Sequence, residues 1–127
     1  MAESFRDVIA WQHAMELLTL IYTVTDAFPR TEIYGMTQQV RKAALSVPSN
    51  IAEGKGRQTK RDYVQFLFRA RGSLYETQTQ LEAARRLKFL SEENFDSANN
   101  LAIETGRTLN GLIRSVQRQL EPASSKL

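Results

Sequence analysis

QQVRKAALSVPSNIAEGKGR, residues Gln38–Arg57, is the stretch around which the rest of this chain is organised. It begins as a helix, because its apolar side chains recur at steps of three and four residues and therefore share one face. These side chains belong to Val40, Ala43, Val47 and Ile51. Pro48 lies inside the pattern, where its ring and its missing backbone N–H normally stop or kink a helix. The stretch therefore predicts a helix that is kinked at Pro48.

Polar side chains follow the proline on this helix. Ser49 and Asn50 can bond backbone groups that the proline releases, and Glu53 can pair with Arg57 one turn later. This structural interpretation explains most of the stripe. The alternative is a small-ligand site at the kink, because polar, strained helix breaks often mark function.

Composition indicates one globular domain. The 127 residues are 42% hydrophobic and 24% charged, a normal balance for a folded protein. The absence of cysteine excludes disulfides, thiolate metal sites and cysteine nucleophiles. No apolar run approaches the ~18 residues of a membrane span, and the first residues do not form a secretory signal. We expect a cytoplasmic protein with one domain over residues 1–120 and a flexible polar tail over 121–127.

The first helix is predicted to begin after a cap at Asp7 and to run to about Ala27. It is apolar on two sides, and a helix of this kind usually buries both. In a bundle only one side faces the core, so the other is expected to face a second subunit. One stripe consists of Val8, Trp11, Ala14, Met15, Leu18, Ile21 and Tyr22, and the other of Leu17, Leu20 and Val24.

Three more helices follow. The second is predicted to start near Thr37, and Gly54 and Gly56 are expected to give flexible backbone to the next connection. Thr59 and Ser91 have the side chains that cap a third and a fourth helix. Steps of three and four define an apolar seam on each of the last two helices: Tyr63, Leu67, Ala70, Leu74, Thr77, Leu81 and Ala84, then Phe95, Ala98, Ala102, Thr105, Leu109, Leu112 and Val116. Short links between four helices predict an all-α, antiparallel up-down-up-down bundle.

Catalysis and metal binding find little support in the sequence. His13 is the only histidine, and Glu16 is its one acidic neighbour at helical spacing. A structural histidine is therefore favoured over a general base. The Glu-x-x-His motifs of bundle metal sites do not occur, and Gly54-Lys55-Gly56 is too short for a phosphate-binding P-loop. These absences predict a non-enzymatic protein without a metal or cofactor.

The basic residues give the strongest functional signal. The segment Arg41–Arg71 contains eight basic and two acidic residues, a net charge of +6 in a chain whose total is +3. Such a surface can neutralise phosphates and bind RNA in a salt-dependent way; the alternative is a solvated basic face. No base-reading motif is present, so contacts would be to the RNA backbone or shape. The predicted nucleic-acid-binding residues are Arg41, Lys42, Lys55, Arg57, Arg61 and Arg69.

A family resemblance rests on two long runs: residues 39–57, QVRKAALSVPSNIAEGKGR, and residues 66–81, FLFRARGSLYETQTQL. They resemble the bacterial four-helix-bundle family encoded in intervening sequences of 23S ribosomal RNA genes. The resemblance extends over about Phe5–Leu120. The chain departs from the pattern at Lys42, where arginine is common, and at Thr77 and Gln78, where leucine and glutamate are favoured.

The resemblance implies a kinked second helix, a homopentameric ring and no known catalysis. The chain is also similar to the accessory protein of diversity-generating retroelements, a pentamer that engages nucleic acid and a reverse transcriptase. Carried over by position, the conserved block is Ser49, Asn50, Glu53, Gly54 and Arg57, with Arg41 and Arg61 in its basic surroundings.

The sequence therefore predicts a homo-oligomeric four-helix bundle, pentameric by resemblance, that binds structured RNA through its basic surface, with ribosomal RNA as one candidate. The rival interpretation is a protein–protein scaffold whose arginines form contacts between subunits and bind no nucleic acid. A reverse transcriptase is a candidate protein partner.

Overall fold

The computed structural model describes residues 4–120. The four helices are α1 (Ile9–Thr25), α2 (Met36–Lys55), α3 (Lys60–Arg86) and α4 (Glu92–Gln119). Short 3-10 turns occupy Phe5–Asp7 and Arg30–Glu32. No β-strand occurs within residues 4–120, so the predicted all-α fold is confirmed. The predicted tail, 121–127, lies outside the described residues.

The helices bury one continuous apolar core. Each helix packs against the next one in the chain, and α4 packs back against α1. The largest fully buried side chains come from all four helices. They include Leu17, Ile21, Ile51, Leu67, Leu74, Leu81 and Leu109. No helix within residues 4–120 has both the length and the apolar character needed to cross a membrane.

The apolar seams of α3 and α4 agree with the sequence pattern. Every predicted seam residue of α3 is buried, including Thr77. The Thr77 hydroxyl donates to the Ser73 carbonyl at 2.9 Å, so this polar side chain is satisfied inside the core. On α4 the prediction of Leu112 is wrong by one residue: Leu112 is only partly buried, and Ile113 takes the core position.

The two-stripe prediction for α1 is wrong in its grouping. The core face takes residues from both predicted stripes and adds Ala10, which was in neither. Its members follow steps of four and three: Ala10, Ala14, Leu17, Ile21 and Val24. Trp11, Met15 and Leu18 are only partly buried, and Tyr22 is exposed. An outer apolar stripe therefore remains beside the core face of α1.

The start of α1 also differs from the prediction. Asp7 lies in the 3-10 turn that precedes the helix, and the side chain of Ser4 accepts a bond from the Arg6 amide there. Val8 is the N-cap of α1, and it makes no side-chain capping bond. The helix ends at Thr25, before the predicted Ala27.

The caps of α3 and α4 are confirmed. The Thr59 hydroxyl accepts from the Asp62 amide at 3.1 Å, and Ser91 accepts from the Asn94 amide at 3.1 Å. After α3, Lys88 has a φ of 65°, in the left-handed region. The Phe89 amide then donates to the Ala84 carbonyl at 2.9 Å, which is the long bond of a Schellman motif.

Gly54 does not belong to the connection after α2, as the sequence suggested. It is buried within α2, and Gly56 is the residue that follows the helix. A Cβ on Gly54 would lie 2.7 Å from the Cβ of Phe66 and 3.3 Å from the carbonyl oxygen of Tyr63. Gly54 is therefore required for the close approach of α2 and α3, since real Cβ contacts are not this short.

Candidate nucleic-acid interface

The six predicted basic residues fall into two groups. Arg41 and Lys42 lie in the first half of α2, whereas Lys55 ends this helix. Fourteen residues separate Arg41 from Lys55, which is about 21 Å along a helix. The predicted single basic surface is therefore divided, and the remaining members of the set lie at the Lys55 end.

Arg41 is used inside the molecule. Its Nε donates to Thr25 Oγ1 at 2.8 Å, and its Nη2 lies 3.2 Å from Asp26 Oδ1. The guanidinium carbon also lies 4.5 Å from the centre of the Tyr22 ring. These contacts join α2 to α1, so Arg41 ties the two helices together and its charge is paired with a carboxylate.

Lys42 is exposed next to an apolar groove of about 360 Å³. The groove also contains Tyr22, Ile33, Tyr34 and Leu45. Tyr34 is 87% exposed and Leu45 is 48% exposed. Lys42 therefore borders a surface of exposed apolar side chains. It lies beside Arg41 and apart from the basic residues at the other end of α2.

Arg57 and Arg69 meet on the ring of Phe66. Their guanidinium carbons lie 4.5 Å and 4.6 Å from the ring centre. Phe66 is only 6% exposed, whereas both arginines are exposed. We call this trio the arginine pad. The predicted ion pair between Glu53 and Arg57 does not form, because the Arg57 guanidinium lies on the Phe66 ring instead.

Lys55 and Arg61 lie near the pad. Lys55 is partly buried, with its Nζ 6.0 Å from the centre of the Tyr63 ring. Arg61 is exposed in the first turn of α3 and makes no hydrogen bond or ion pair with residues 4–120. Lys55, Arg57, Arg61 and Arg69 thus occupy the end of α2 and the first half of α3.

The serine and asparagine of the family block make structural contacts. Ser49 Oγ donates to the Leu45 carbonyl at 2.8 Å. Asn50 Nδ2 donates to the Ser46 carbonyl at 2.8 Å and to Ser46 Oγ at 2.9 Å. Ser73 Oγ of α3 lies 2.9 Å from the same Ser46 hydroxyl. Both side chains thus bond within the bundle, but not as predicted, because the carbonyl that Pro48 releases is that of Ala44 and the observed acceptors are Leu45 and Ser46. The Asn50–Ser46–Ser73 chain links α2 to α3.

Glu53 of the same block is exposed, next to the buried Gly54. Gly54 supports the arginine pad from below, because it contacts Phe66 directly. These two residues of the block that the family resemblance implies therefore differ: Glu53 faces solvent, and Gly54 sets the helix spacing.

A cavity of about 460 Å³ lies beside the pad, at one end of the bundle. We call it the end pocket. The start of α1, the end of α2, the start of α3 and the last turns of α4 form its walls. Three cations line it, Lys55, Arg57 and Lys60, and within the part of the chain that the structure describes its lining includes no aspartate or glutamate.

Residues 4–120 hold no group of three histidine, cysteine, aspartate or glutamate side chains that could bind a metal ion. His13 is partly buried, with Nδ1 3.1 Å from Thr108 Oγ1 of α4. That contact joins two helices, as the structural interpretation of His13 expects.

Phe66 is the site residue that the sequence analysis missed. An aromatic residue in a helix is most simply interpreted as core, and Phe66 is indeed buried. The available signal was its position three residues before Arg69, because residues at this spacing are neighbours on a helix surface. Phe68 and Arg71 repeat the spacing, and the Arg71 guanidinium lies 5.1 Å from the Phe68 ring centre.

Residues 6–111 match the family model described as 23S rRNA-intervening sequence protein. The chain belongs to this family. The match covers most of the helical bundle, including the arginine pad and Gly54. None of the functionally curated sequences compared with this chain matches it significantly.

A solved structure of the same fold is a protein with unknown function from the S23 ribosomal protein family of Bacteroides thetaiotaomicron VPI-5482. It superposes with a TM-score of 0.76 and 23% sequence identity, over 82% of this chain and 97% of that chain. At this identity the likeness establishes the four-helix fold of the 23S rRNA-intervening sequence protein and nothing further.

Proposed function

We propose that this family member is a non-enzymatic, homo-oligomeric bundle that binds structured RNA through Lys55, Arg57, Arg61 and Arg69. The arginine pad is the observation that supports this proposal most directly. The family's description makes ribosomal RNA the first candidate. Arg41, which the sequence grouped with these residues, is assigned to the fold because its charge is paired with Asp26.

The pad suits phosphate binding for a physical reason. A guanidinium that lies on the face of an aromatic ring can still donate its N–H groups to another partner. Because the ring already holds the side chain in place, little side-chain freedom is lost when a phosphate binds. Arginine donors match phosphate oxygens in pairs. Because Arg57 and Arg69 share one ring, two such guanidinium groups lie at one place on the surface, and the exposed Arg61 lies on the same helix as Arg69.

The proposal includes self-association. Tyr22, Ile33, Tyr34 and Leu45 expose apolar surface along α1 and α2. Exposed apolar patches of this kind commonly mark protein–protein contacts. A second copy of the chain is the proposed occupant, and the family resemblance favours a pentamer. The surface lies away from the pad, so assembly would leave the RNA-binding residues accessible.

The finer geometry of the bundle is part of the same proposal. We infer that the four helices run antiparallel, up-down-up-down, and that α2 bends at Pro48. The end pocket supports the first inference, because the starts of α1 and α3 lie there with the ends of α2 and α4. Support for the second is the buried proline inside α2, which removes a backbone donor.

A protein–protein scaffold is the second candidate function. The apolar groove beside Lys42 favours it, since RNA recognition does not require exposed Ile33 and Leu45. In this version the arginines form contacts between subunits, and a protein such as a reverse transcriptase is the partner. The two candidate functions predict different effects when the arginines are removed: loss of RNA affinity for the first, and dissociation of the oligomer for the second.

The double variant Arg57→Glu/Arg61→Glu separates the two candidates. If the pad binds RNA, affinity for structured RNA should fall at least about tenfold, since charge-assisted contacts are lost and repulsion is added. Light scattering should show an unchanged oligomer. Arg107→Glu/Arg114→Glu makes the same change of charge on exposed residues of α4 and serves as the control. An oligomer that dissociates only in the Arg57/Arg61 variant would favour the scaffold.

A further inference from the structure

The end pocket has the composition of an anion site. Lys55, Arg57 and Lys60 line it together, and no aspartate or glutamate of residues 4–120 is part of its lining. Three cations gathered without a counter-charge repel one another and attract an anion, and the walls of a cavity strengthen that field. Its volume of about 460 Å³ is within the range of small-molecule sites.

The start of α1 adds backbone donors to the same cavity. Ile9 and Ala10, the first two residues of α1, line the pocket. Val8 gives this helix no side-chain capping bond, so the first-turn amides are not occupied by a cap. The start of α3 differs, because Thr59 caps it through the Asp62 amide. The dipole of α1 therefore favours an anion here, while the carboxyl ends of α2 and α4 at the same cavity oppose it, so the side-chain cations are the main attraction.

The rest of the lining distinguishes classes of anion. Thr59, Thr108 and Ser115 are polar residues of the same lining, and one wall is apolar, with Leu112 and Val116. Tyr63 lies below Lys55 at the same wall. A purely inorganic anion would leave the apolar wall uncovered, whereas a phosphate attached to a sugar and base would cover it.

We propose that the end pocket binds a phosphate monoester. This group carries a charge between about −1.5 and −2 and three acceptor oxygens near neutral pH, which matches three cations better than the single charge of an internal phosphodiester does. The ligand is either the terminal phosphate of an RNA strand or a free nucleotide, because both offer the same chemistry.

The pocket and the arginine pad are continuous through Arg57. This residue lines the cavity and also lies on Phe66. An RNA strand that contacts the pad can therefore place its terminal phosphate between Lys55 and Lys60. The strand-end version deepens the proposed RNA binding and rests on it, whereas the free-nucleotide version does not.

Titration of the full-length protein with 5′-AMP and with adenosine tests the monoester. We expect AMP to bind and to shift the amide NMR signals of Ile9 and Ala10, and adenosine to do neither. Lys55→Gln/Lys60→Gln should weaken AMP binding by about tenfold or more. Lys42→Gln/Lys88→Gln removes the same charge elsewhere and should leave AMP affinity unchanged. Equal binding of AMP and adenosine would overturn the proposal, and so would a lack of AMP binding together with equal binding of 5′-phosphate and 5′-hydroxyl RNA.

RNA of one sequence with a 5′-phosphate or a 5′-hydroxyl identifies the source of the phosphate. If the wild type binds the phosphorylated strand more tightly, and Lys55→Gln/Lys60→Gln binds both strands equally, the ligand is the terminal phosphate of an RNA strand. Equal binding of both strands together with AMP binding supports a free nucleotide. If both strands bind equally and AMP does not bind, the pocket proposal fails while RNA binding by the pad stands. If neither strand binds, the proposed function fails, and AMP alone decides the pocket.

Discussion

Gly54 of α2 contacts Phe66 of α3 so closely that a Cβ on Gly54 would lie 2.7 Å from the Phe66 Cβ. The same phenylalanine holds Arg57 and Arg69 on its ring. The spacing of two helices and the position of two exposed charges therefore depend on one contact. A residue that the family pattern marks as part of a polar block acts here through its lack of a side chain.

Gly54→Ala should destabilise the bundle. Alanine favours an isolated helix by about 1 kcal/mol relative to glycine, but overpacking of a close helix contact costs about 1–3 kcal/mol. The atoms in the way, Phe66 Cβ and the Tyr63 carbonyl oxygen, belong to the α3 backbone or adjoin it. We expect a net loss of about 1–2 kcal/mol in the free energy of unfolding, measured by urea denaturation.

Gly56→Ala is the matched control, because a Cβ there would meet nothing closer than 3.6 Å. It should change stability little. A Gly54→Ala protein that is as stable as the wild type would show that α2 and α3 adjust at no cost, and the argument for Gly54 would fail.

Arg41→Lys should lower stability and leave RNA affinity unchanged. Lysine cannot reproduce the planar contacts of Arg41 with Thr25, Asp26 and the Tyr22 ring. We expect a loss of about 1 kcal/mol in the free energy of unfolding. Lys42→Gln changes the adjacent, exposed residue and should unfold like the wild type. If Arg41→Lys binds RNA more weakly and is as stable as the wild type, Arg41 contributes to RNA binding and the prediction is wrong.

Lys88→Gly should stabilise the end of α3. Lys88 has a φ of 65°, which costs a residue with a Cβ about 1 kcal/mol and costs glycine nothing comparable. Lys88→Ala keeps the Cβ and loses the same charge, so it should give no such gain. Thermal unfolding of the three proteins makes the comparison, and a gain shared by both variants would assign the effect to charge.

Glu82 should make stability depend on pH. The hydrogen bond from Arg85, and a second from Arg86, lower the pKa of its carboxyl below the ordinary value of 4.5. The fold therefore favours the carboxylate. Its contribution is complete above the unfolded pKa and is lost as pH falls through the lower, folded pKa. The stability difference between wild type and Glu82→Gln should shrink as urea denaturation is repeated from neutral pH to about pH 3, and a difference that stays constant would contradict this.

Local patterns predicted the helices well. The seam of α3 follows from heptad spacing alone, and Thr59 and Ser91 cap because their hydroxyls need only an amide three residues on. The same local logic failed at Asp7, where a 3-10 turn intervenes before α1. It failed for Gly54 because a glycine near a helix end is found both in flexible connections and at close helix contacts. The contact of Gly54 is made with α3, so the residues around Gly54 in the sequence do not reveal it.

The candidate site was predicted as a set of charges but not as an arrangement. Net charge located the basic segment, yet it did not show that Arg41 is paired with Asp26, the residue that follows α1. That pairing joins residues far apart in sequence, which single-chain spacing does not report. The arginine pad is in part a local feature, Phe66 followed by Arg69, and in part a contact made by Arg57 across the connection.

Fluorescence anisotropy with a structured ribosomal RNA fragment tests RNA binding by the arginine pad most directly. The titration compares wild type with Arg57→Gln/Arg69→Gln, and uses Arg107→Gln/Arg114→Gln as the control, between about 50 and 200 mM salt. We predict that wild-type affinity falls steeply with salt, and that loss of the pad reduces the slope of log affinity against log salt by about 1.5. The control should keep the wild-type slope. No binding at low salt, or equal slopes for pad and control variants, would contradict the account.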